Sequence, residues 1–487
     1  MTERLSSIRE ESATPGPLPP STGKGLVPWL VAVAFFMESM DTTILNTAIP
    51  AIAAALHVTV LNMKAVMASY TLSLAVFIPI SGWMADRFGT RRVFASAIGV
   101  FTLGSVLCGI STSVHVLVLC RVLQGLGGSM MVPVGRLTLV RAFEKSELVR
   151  TMSFVSIPAL IGPMLGPMTG GLIVHYLHWR YIFFLNLPIG VLGLLMVYLH
   201  LPDYREEHTH PLDTVGFVLF GSGIALLSYV LEVFGEHRLG PWEAISLLTL
   251  SFVLLGAYAR HGTQTQYPVL NLHLFRVRTF RVAVSGSFFT RLGIGGVPFL
   301  LPLLYQIGLG FNPVHSGLLI MPQALASMCM KFFLQKLLTR LGYRGVLVSN
   351  TILIGLLLAS FATIGIHTGV WQIVVLAFLY GGCTSLQYTS MNTLVYADTS
   401  DQEASGASSI ASTVQQMSIS FGVAIAGLAT AFFLPSSASS NRLVFIHGIH
   451  TALIALGAVT IATSVVFGRL RKDDGKVVSH QEVVHVG

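Results

Sequence analysis

Charge is what this sequence has least of. Only 10% of its 487 residues are Asp, Glu, Lys or Arg, where ordinary soluble domains carry about 25%. With 53% hydrophobic residues and a mean hydropathy of +0.73, polar groups are too few to coat a water-soluble particle of this size. That excludes a cytosolic enzyme, a disordered chain and a secreted disulfide scaffold. Cysteine is scarce as well: Cys108, Cys120, Cys329 and Cys383 are scattered through apolar segments without CxxC spacing, and read as small packing residues rather than metal ligands or disulfides. Sixteen histidines, among them His175, His178 and His237, are dispersed and form no HxxxH cluster, so no metal site is expected. No Walker loop, HExxH helix or Ser/His/Asp arrangement is present, which removes ATP hydrolysis and the common hydrolytic enzymes. No cofactor is expected. Residues 1–25 lack an apolar signal-peptide region and read as a flexible tail.

What is present is a series of long apolar runs. About 20 residues cross the hydrocarbon core as a helix. Charge clusters and Gly/Pro punctuation predict spans near 26–49, 63–84, 93–112, 114–140, 151–175, 180–200, 214–233 and 242–260. Six more are predicted near 280–308, 314–339, 346–365, 371–395, 406–433 and 444–468. An even count of fourteen places both termini on one side. Of the 29 Lys and Arg residues, 21 fall in the tails and connectors of that side, and only Lys64, Arg180, Arg238 and Arg442 lie in the opposite loops. This bias predicts cytoplasmic termini. The net charge of +8 is thus a topological signal, and no nucleic-acid partner is expected.

The connector after the second span, Asp86-Arg87-Phe88-Gly89-Thr90-Arg91, shares R-x-G-x-R with Thr339-Arg340-Leu341-Gly342-Tyr343-Arg344 after the tenth. Their offset is longer than six helices need and leaves room for one extra hairpin. The predicted organisation is an N-terminal six-helix bundle (26–200), a two-helix insertion with linkers (201–279), a C-terminal six-helix bundle (280–468) and a second tail (469–487). Parallel six-helix halves around a midplane site are a transporter plan.

Four motifs carry chemistry. Gly82-Trp83-Met84-Ala85-Asp86-Arg87-Phe88-Gly89-Thr90-Arg91-Arg92 combines a glycine suited to close helix approach, a turn glycine, and an Asp able to pair with arginines as a conformational latch. In the second-half copy Gln335 and Thr339 replace the Gly and Asp, which weakens a latch role there. The fourth span carries Leu117-x-x-x-Arg121-x-x-Gln124-Gly125-x-Gly127; an arginine at that depth costs about 2.5–3.5 kcal/mol on insertion scales and must meet a partner or a cavity. The fifth span has Gly162, Gly166 and Gly170 on one bare face, with Pro163, Pro167 and Gly171. Alone, that spacing also suits helix dimerisation. The first span ends in Glu38-Ser39-Met40-Asp41-Thr42-Thr43-Ile44-Leu45-Asn46-Thr47-Ala48-Ile49-Pro50.

Together these segments, with Trp179-Arg180-Tyr181 through Asn186, Pro188 and Gly190, resemble the major facilitator superfamily and within it the fourteen-helix drug:proton antiporters. The resemblance covers roughly residues 26–468. It implies an all-α integral membrane protein of the major facilitator fold, fourteen transmembrane helices arranged 6 + 2 + 6. It further implies a latch at Gly82, Asp86, Arg87, Gly89, Arg91 and Arg92, proton transfer involving Arg121, and an antiporter motif at Gly162–Gly171. It is silent on substrate.

Among the 21 acidic residues, only Glu38 and Asp41 fall well inside a span. Three positions apart, they share a helix face, and adjacent buried carboxyls disfavour double ionisation. Such a pair can hold a proton and exchange it. Asp41, at the motif position, is the expected coupling site; Glu38 either binds a cationic substrate or neutralises Arg121. Arg291 either balances the Glu38/Asp41 pair or attracts an anionic substrate, and Lys331 is expected to snorkel to the membrane edge. Asn46, Tyr70, Gln124, Gln323, Gln387, Tyr388, Asn392, Gln415 and Gln416 either line a central cavity or bond between helices. The expected function is proton-coupled export of small amphipathic molecules or drugs from the cytoplasm of a bacterial (inner-membrane) cell by a monomer in the lipid bilayer. The alternative is export of an endogenous metabolite such as an organic acid or iron chelate, for example citrate.

Overall fold

A computed structural model of the chain describes residues 25–206, 209–234, 240–400, 403–433, 442–471 and 473–475. The expected tail charges Arg4, Arg9, Lys24, Lys472 and Lys476 lie outside the described residues, as do His237 and Arg238. All regular elements among the described residues are helices. Eight spans precede the second bundle: α1 Val27–Thr47, α2 Val60–Phe88, α3 Thr90–Ile110, α4 Val114–Ala142, α5 Ile157–Tyr176, α6 Tyr181–His200, α7 Thr214–Leu231 and α8 Pro241–Gln264. α9 is Arg278–Gly308. The next helical run, Pro313–Phe361, has 49 residues. At 1.5 Å per residue it is about 73 Å long, enough for two bilayer crossings. Gly342 breaks it with φ 68° and ψ 164°, dividing it into α10 (313–341) and α11 (343–361). α12 Val370–Leu394, α13 Ala404–Phe433 and α14 Arg442–Phe467 complete fourteen.

The break falls on the glycine of the second R-x-G-x-R copy. Its counterpart Gly89 has φ 92° and is the sole residue between α2 and α3. Both glycines hold a backbone region that side chains disfavour. The connector predicted over residues 86–91 is therefore shorter than expected: α2 stays helical through Phe88, and one glycine turns the chain.

Packing repeats with the same symmetry. α1 packs on α5, α2 on α4, and α3 on α4 and α6; eight helices later α9 packs on α13, α10 on α12, and α11 on α12 and α14. The halves meet through α2 with α13 and α5 with α10. The inserted pair packs on itself, and α7 leans on α2 and α13.

The contacts between halves gather on the side away from the termini. There Gln306 Nε2 donates to the Thr47 carbonyl at 2.8 Å, and Ser420 Oγ to the Ala68 carbonyl at 3.1 Å. Gly171 abuts the Pro313 backbone, and Gly317 that of Pro167. One apolar cluster joins Ile44, Ile49 and Ile52 to Phe299, Leu301 and Val423 across the two halves. Toward the termini the core splits, with Val31, Phe94 and Val134 in one cluster and Phe280, Val346 and Leu394 in another. The conformation is closed at the far side and parted on the terminal side.

Candidate functional site

α1 delivers Asp41 to a fully buried position facing α4, where Arg121 Nη1 meets its Oδ2 at 2.6 Å. The other carboxylate oxygen accepts from Gln124 Nε2 at 2.8 Å and Asn186 Nδ2 at 3.0 Å. Arg121 also donates to Gln124 Oε1 at 2.8 Å and to the Val66 carbonyl at 3.4 Å. Its guanidinium lies 4.3 Å from the centre of the Tyr70 ring. Four helices, α1, α2, α4 and α6, thus enclose one ion pair. A buried pair needs its remaining donors and acceptors satisfied; here the two amides do so for the second carboxylate oxygen and the Val66 carbonyl for Arg121 Nε.

Glu38 sits one turn nearer the termini, half-buried, and its carboxylate makes no hydrogen bond among the described residues. The partner of Arg121 is therefore Asp41, and the expectation that Glu38 neutralises this arginine is corrected. Arg136, on α4 nearer the termini, is the cation whose field reaches Glu38; its guanidinium faces the Phe35 ring at 5.8 Å.

Asn186 belongs to the site although spacing alone did not single it out. It is a lone amide in an apolar segment, the signal that would have marked it. α6 packs on α3, so Asn186 also bonds Ser105 Oγ at 3.0 Å.

In the second half Arg291 is buried on α9. Its Nε donates to Ser287 Oγ at 3.0 Å and an Nη to Gln415 Oε1 at 3.2 Å. The Tyr388 ring centre lies 3.8 Å from the guanidinium carbon. All these partners are neutral. Arg291 does not balance Glu38 and Asp41; α9 lies on α13 and α14, so the side chain turns into its own half. Gln387 is fully buried and bonds between α12 and α11, accepting from Asn350 at 2.9 Å and donating to Thr351 at 2.8 Å. It does not line a cavity. Asn392 and Lys331 are exposed, and Gln416 is half-buried.

Asn46 and Gln323 come together across the halves, lining a cavity of about 160 Å³ with Thr43, Pro163, Pro167 and residues of α9.

The glycine face of α5 is filled from within the molecule. Gly162 meets Ser39 and Met40, Gly166 meets Thr43, and Gly170 meets Ile44 and Thr47, all on α1. Thr47 Oγ1 donates to the Pro167 carbonyl at 3.0 Å. The spacing serves α1–α5 packing, so a dimerisation face is not needed to explain it.

At the terminal side Asp86 pairs with Arg141 at 2.8 Å, and the same nitrogen meets Glu206 at 2.8 Å. The linker after α6 straps this corner. Tyr204 accepts from the Thr90 amide at 2.9 Å, Asp203 Oδ1 accepts from the Arg91 amide at 3.1 Å, and His210 accepts from the Trp83 indole at 2.8 Å. Arg87 and Arg92 are exposed. The expected close approach at Gly82 is not made: nothing lies within 4 Å of where a Cβ would sit, because α2 and α13 meet near Ala68 and part toward the termini.

Among known proteins, the family model described as Major Facilitator Superfamily matches residues 31–423 and 284–482. The chain is 38% identical over 451 residues to "Putative multidrug resistance protein MdtD" of Pectobacterium atrosepticum, covering 91% of this chain and 95% of that one. It is 38% identical over 470 residues to the protein of the same name in Escherichia coli O157:H7, covering 96% and 97%. Among solved structures it is similar to the POT family transporter PepTSo, with a TM-score of 0.67 at 14% identity over 92% of this chain and 98% of that one. The D-xylose-proton symporter gives 0.66 at 12% identity over 93% and 100%. At such identities the structures speak for the fold alone.

Proposed function

The chain belongs to the major facilitator superfamily, a family of membrane transporters, and on that premise we propose that it is a proton-coupled antiporter exporting small amphipathic molecules or drugs. The observation that carries this reading is the buried Asp41–Arg121 pair with its amide cage. It is the one described ion pair enclosed in the depth of the helices, and it joins α1 to α4. Protonation of Asp41 discharges the carboxylate and frees the Arg121 guanidinium. A buried charge left without its partner is strongly disfavoured, so the helices re-pack. A ligand shifts such an equilibrium only through its different affinity for the two states. In this scheme the proton enters Asp41 from the far side and leaves toward the termini, while substrate travels the opposite way. The first (26–200) and last (280–468) bundles rock about the site. Asp86–Arg141 and the linker strap act as the latch, and Glu38 with Arg136 guards the terminal-side approach. The name borne by the relatives supports drugs as substrates, and the 21:4 distribution of Lys and Arg supports cytoplasmic termini in a bacterial inner membrane.

A second substrate reading rests on Arg291. Its described partners are all neutral, so the second half carries a buried positive charge suited to a carboxylate substrate, such as an organic acid.

The test is proton flux from proteoliposomes holding an imposed pH gradient, with lipophilic cations and carboxylates supplied in turn to wild type and to Asp41→Asn. A cation-driven proton flux lost in the variant supports drug antiport. A response to carboxylates alone keeps the coupling site and moves the substrate class. Undiminished flux in Asp41→Asn sinks the coupling assignment.

A further inference from the structure

Beside its polar partners, the Arg121 guanidinium lies over the Tyr70 ring, 4.3 Å from its centre, and both side chains are buried. The neighbours fix the ring in that position. Phe101 on α3 meets it edge-on, with ring centres 6.4 Å apart, and two glycines of α4 leave room for it. A Cβ at Gly125 would lie 2.7 Å from the Tyr70 carbonyl oxygen, and one at Gly128 would lie 2.8 Å from its hydroxyl. Both glycines share α4 with Arg121, so the helix that supplies the cation is also shaped to receive the ring. Glu38, Asp41 and Arg121 are the charged groups whose fields reach Tyr70, and Cys108 is the further titratable neighbour of Arg121.

The carboxylate and the ring differ in one respect that matters for coupling. A proton removes the charge of Asp41, whereas the attraction of an aromatic face for a cation needs no ionised group and is strongest when desolvated. With Asp41 neutral, Arg121 keeps Gln124 Oε1, the Val66 carbonyl and the Tyr70 ring. The second half already holds an arginine in such surroundings. Arg291 is buried against Ser287, Gln415 and the Tyr388 ring at 3.8 Å, with no carboxylate among its described partners. One amide oxygen and one tyrosine face recur in both sets.

We propose that Tyr70 is a positioning residue for proton coupling: its ring holds the Arg121 guanidinium in place while Asp41 carries the proton. The inference rests on the reading of Asp41 as the coupling site and adds how that site survives its own protonated state. The ring lowers the penalty of a buried cation without its counter-charge but does not remove it. The helices therefore still re-pack, with Arg121 held where Asp41 can recover it once the proton leaves.

The experiment is a double-variant cycle in thermal unfolding of the purified full-length chain in detergent, without a gradient. Asp41→Asn mimics the protonated carboxyl, and Tyr70→Leu removes the ring. Tyr70→Leu is expected to lower the unfolding temperature about twice as far in Asp41→Asn as in wild type, because there no carboxylate backs the ring. Tyr70→Phe, which keeps the ring, is expected to restore most of the loss in both. Should Tyr70→Leu fail to fold, phenylalanines with successive ring fluorines at position 70 keep the shape and weaken the negative face stepwise. The unfolding temperature is then expected to fall with each fluorine, more steeply in Asp41→Asn. A ring that only packs would respond neither to the charge at position 41 nor to the fluorines. In proteoliposomes Tyr70→Leu is expected to lower pH-driven proton flux about tenfold. Equal losses in both backgrounds, no response to fluorination, or full flux in Tyr70→Leu overturns the proposal. Any of these beside lost flux in Asp41→Asn leaves the coupling site standing. Undiminished flux in Asp41→Asn, with the detergent cycle as expected, removes the coupling reading and keeps the ring as the holder of Arg121.

Discussion

Asp41 and Arg121 stand 80 positions apart in the chain and meet at 2.6 Å, with the second Asp41 oxygen held by Gln124 and Asn186 and the Arg121 Nε directed at the Val66 carbonyl on α2. Removing either partner leaves the other charged and buried, a defect of about 3–5 kcal/mol. Arg121→Ala is therefore expected to lower the unfolding temperature more than the double variant Asp41→Asn/Arg121→Gln, which removes both charges. Thermal unfolding in detergent checks the order. A double variant no more stable than Arg121→Ala would mean that the pair is not what the four helices are built around.

The latch separates into a half-buried and an exposed partner of one arginine. The Asp86 and Glu206 side chains are 35% and 55% exposed, and exposed ion pairs contribute about 0–1 kcal/mol. Glu206→Gln is expected to change stability by less than about 0.5 kcal/mol. Asp86→Asn, which frees Arg141 from the α2 end, is expected to alter the balance of the two conformations and to lower the transport rate. Transport assays with both variants at matched expression distinguish them; equal effects would deny Asp86 a special place.

Glycines in three settings should respond differently to alanine. At Gly166 a Cβ collides with Thr43 on α1, and overpacking of this kind costs about 1–3 kcal/mol. At Gly342 the positive φ with extended ψ imposes a backbone penalty of about 1–3 kcal/mol on any other residue. At Gly82 a Cβ meets nothing within 4 Å, so Gly82→Ala should leave stability unchanged in this conformation. If α2 and α13 approach at Gly82 when the terminal side closes, the same variant should slow transport. Thermal unfolding and turnover measured side by side separate these cases.

Arg291→Gln tests the second substrate reading. The loss of a buried cation whose partners are neutral is expected to reduce carboxylate-driven proton flux at least about tenfold while sparing the response to cations. A uniform fall for both classes would assign Arg291 to the packing of α9 against Gln415 and Tyr388.

Span number was legible in the sequence because lipid leaves little choice. Helices of about 20 apolar residues are the way to satisfy a backbone without water, and cations gather in one set of connectors. The equivalence of Gly89 and Gly342 was legible as well, since a one-residue turn with positive φ writes itself as a glycine among arginines. The candidate site was legible as a set of residues and not as a set of pairs. Glu38 and Asp41 lie on one face of α1, so either could have met Arg121.

What chose Asp41 was the depth at which α1 crosses α4, set by contacts such as Gly135 against Val31 and Phe35. Asn186 reached the carboxylate because α6 packs on α3, and Gln387 turned away from the centre because Asn350 and Thr351 wait on α11. Periodicity records which face a residue is on. Which neighbour that face meets, and at what height, depends on side chains far away in the chain, and only the packed bundle decides it.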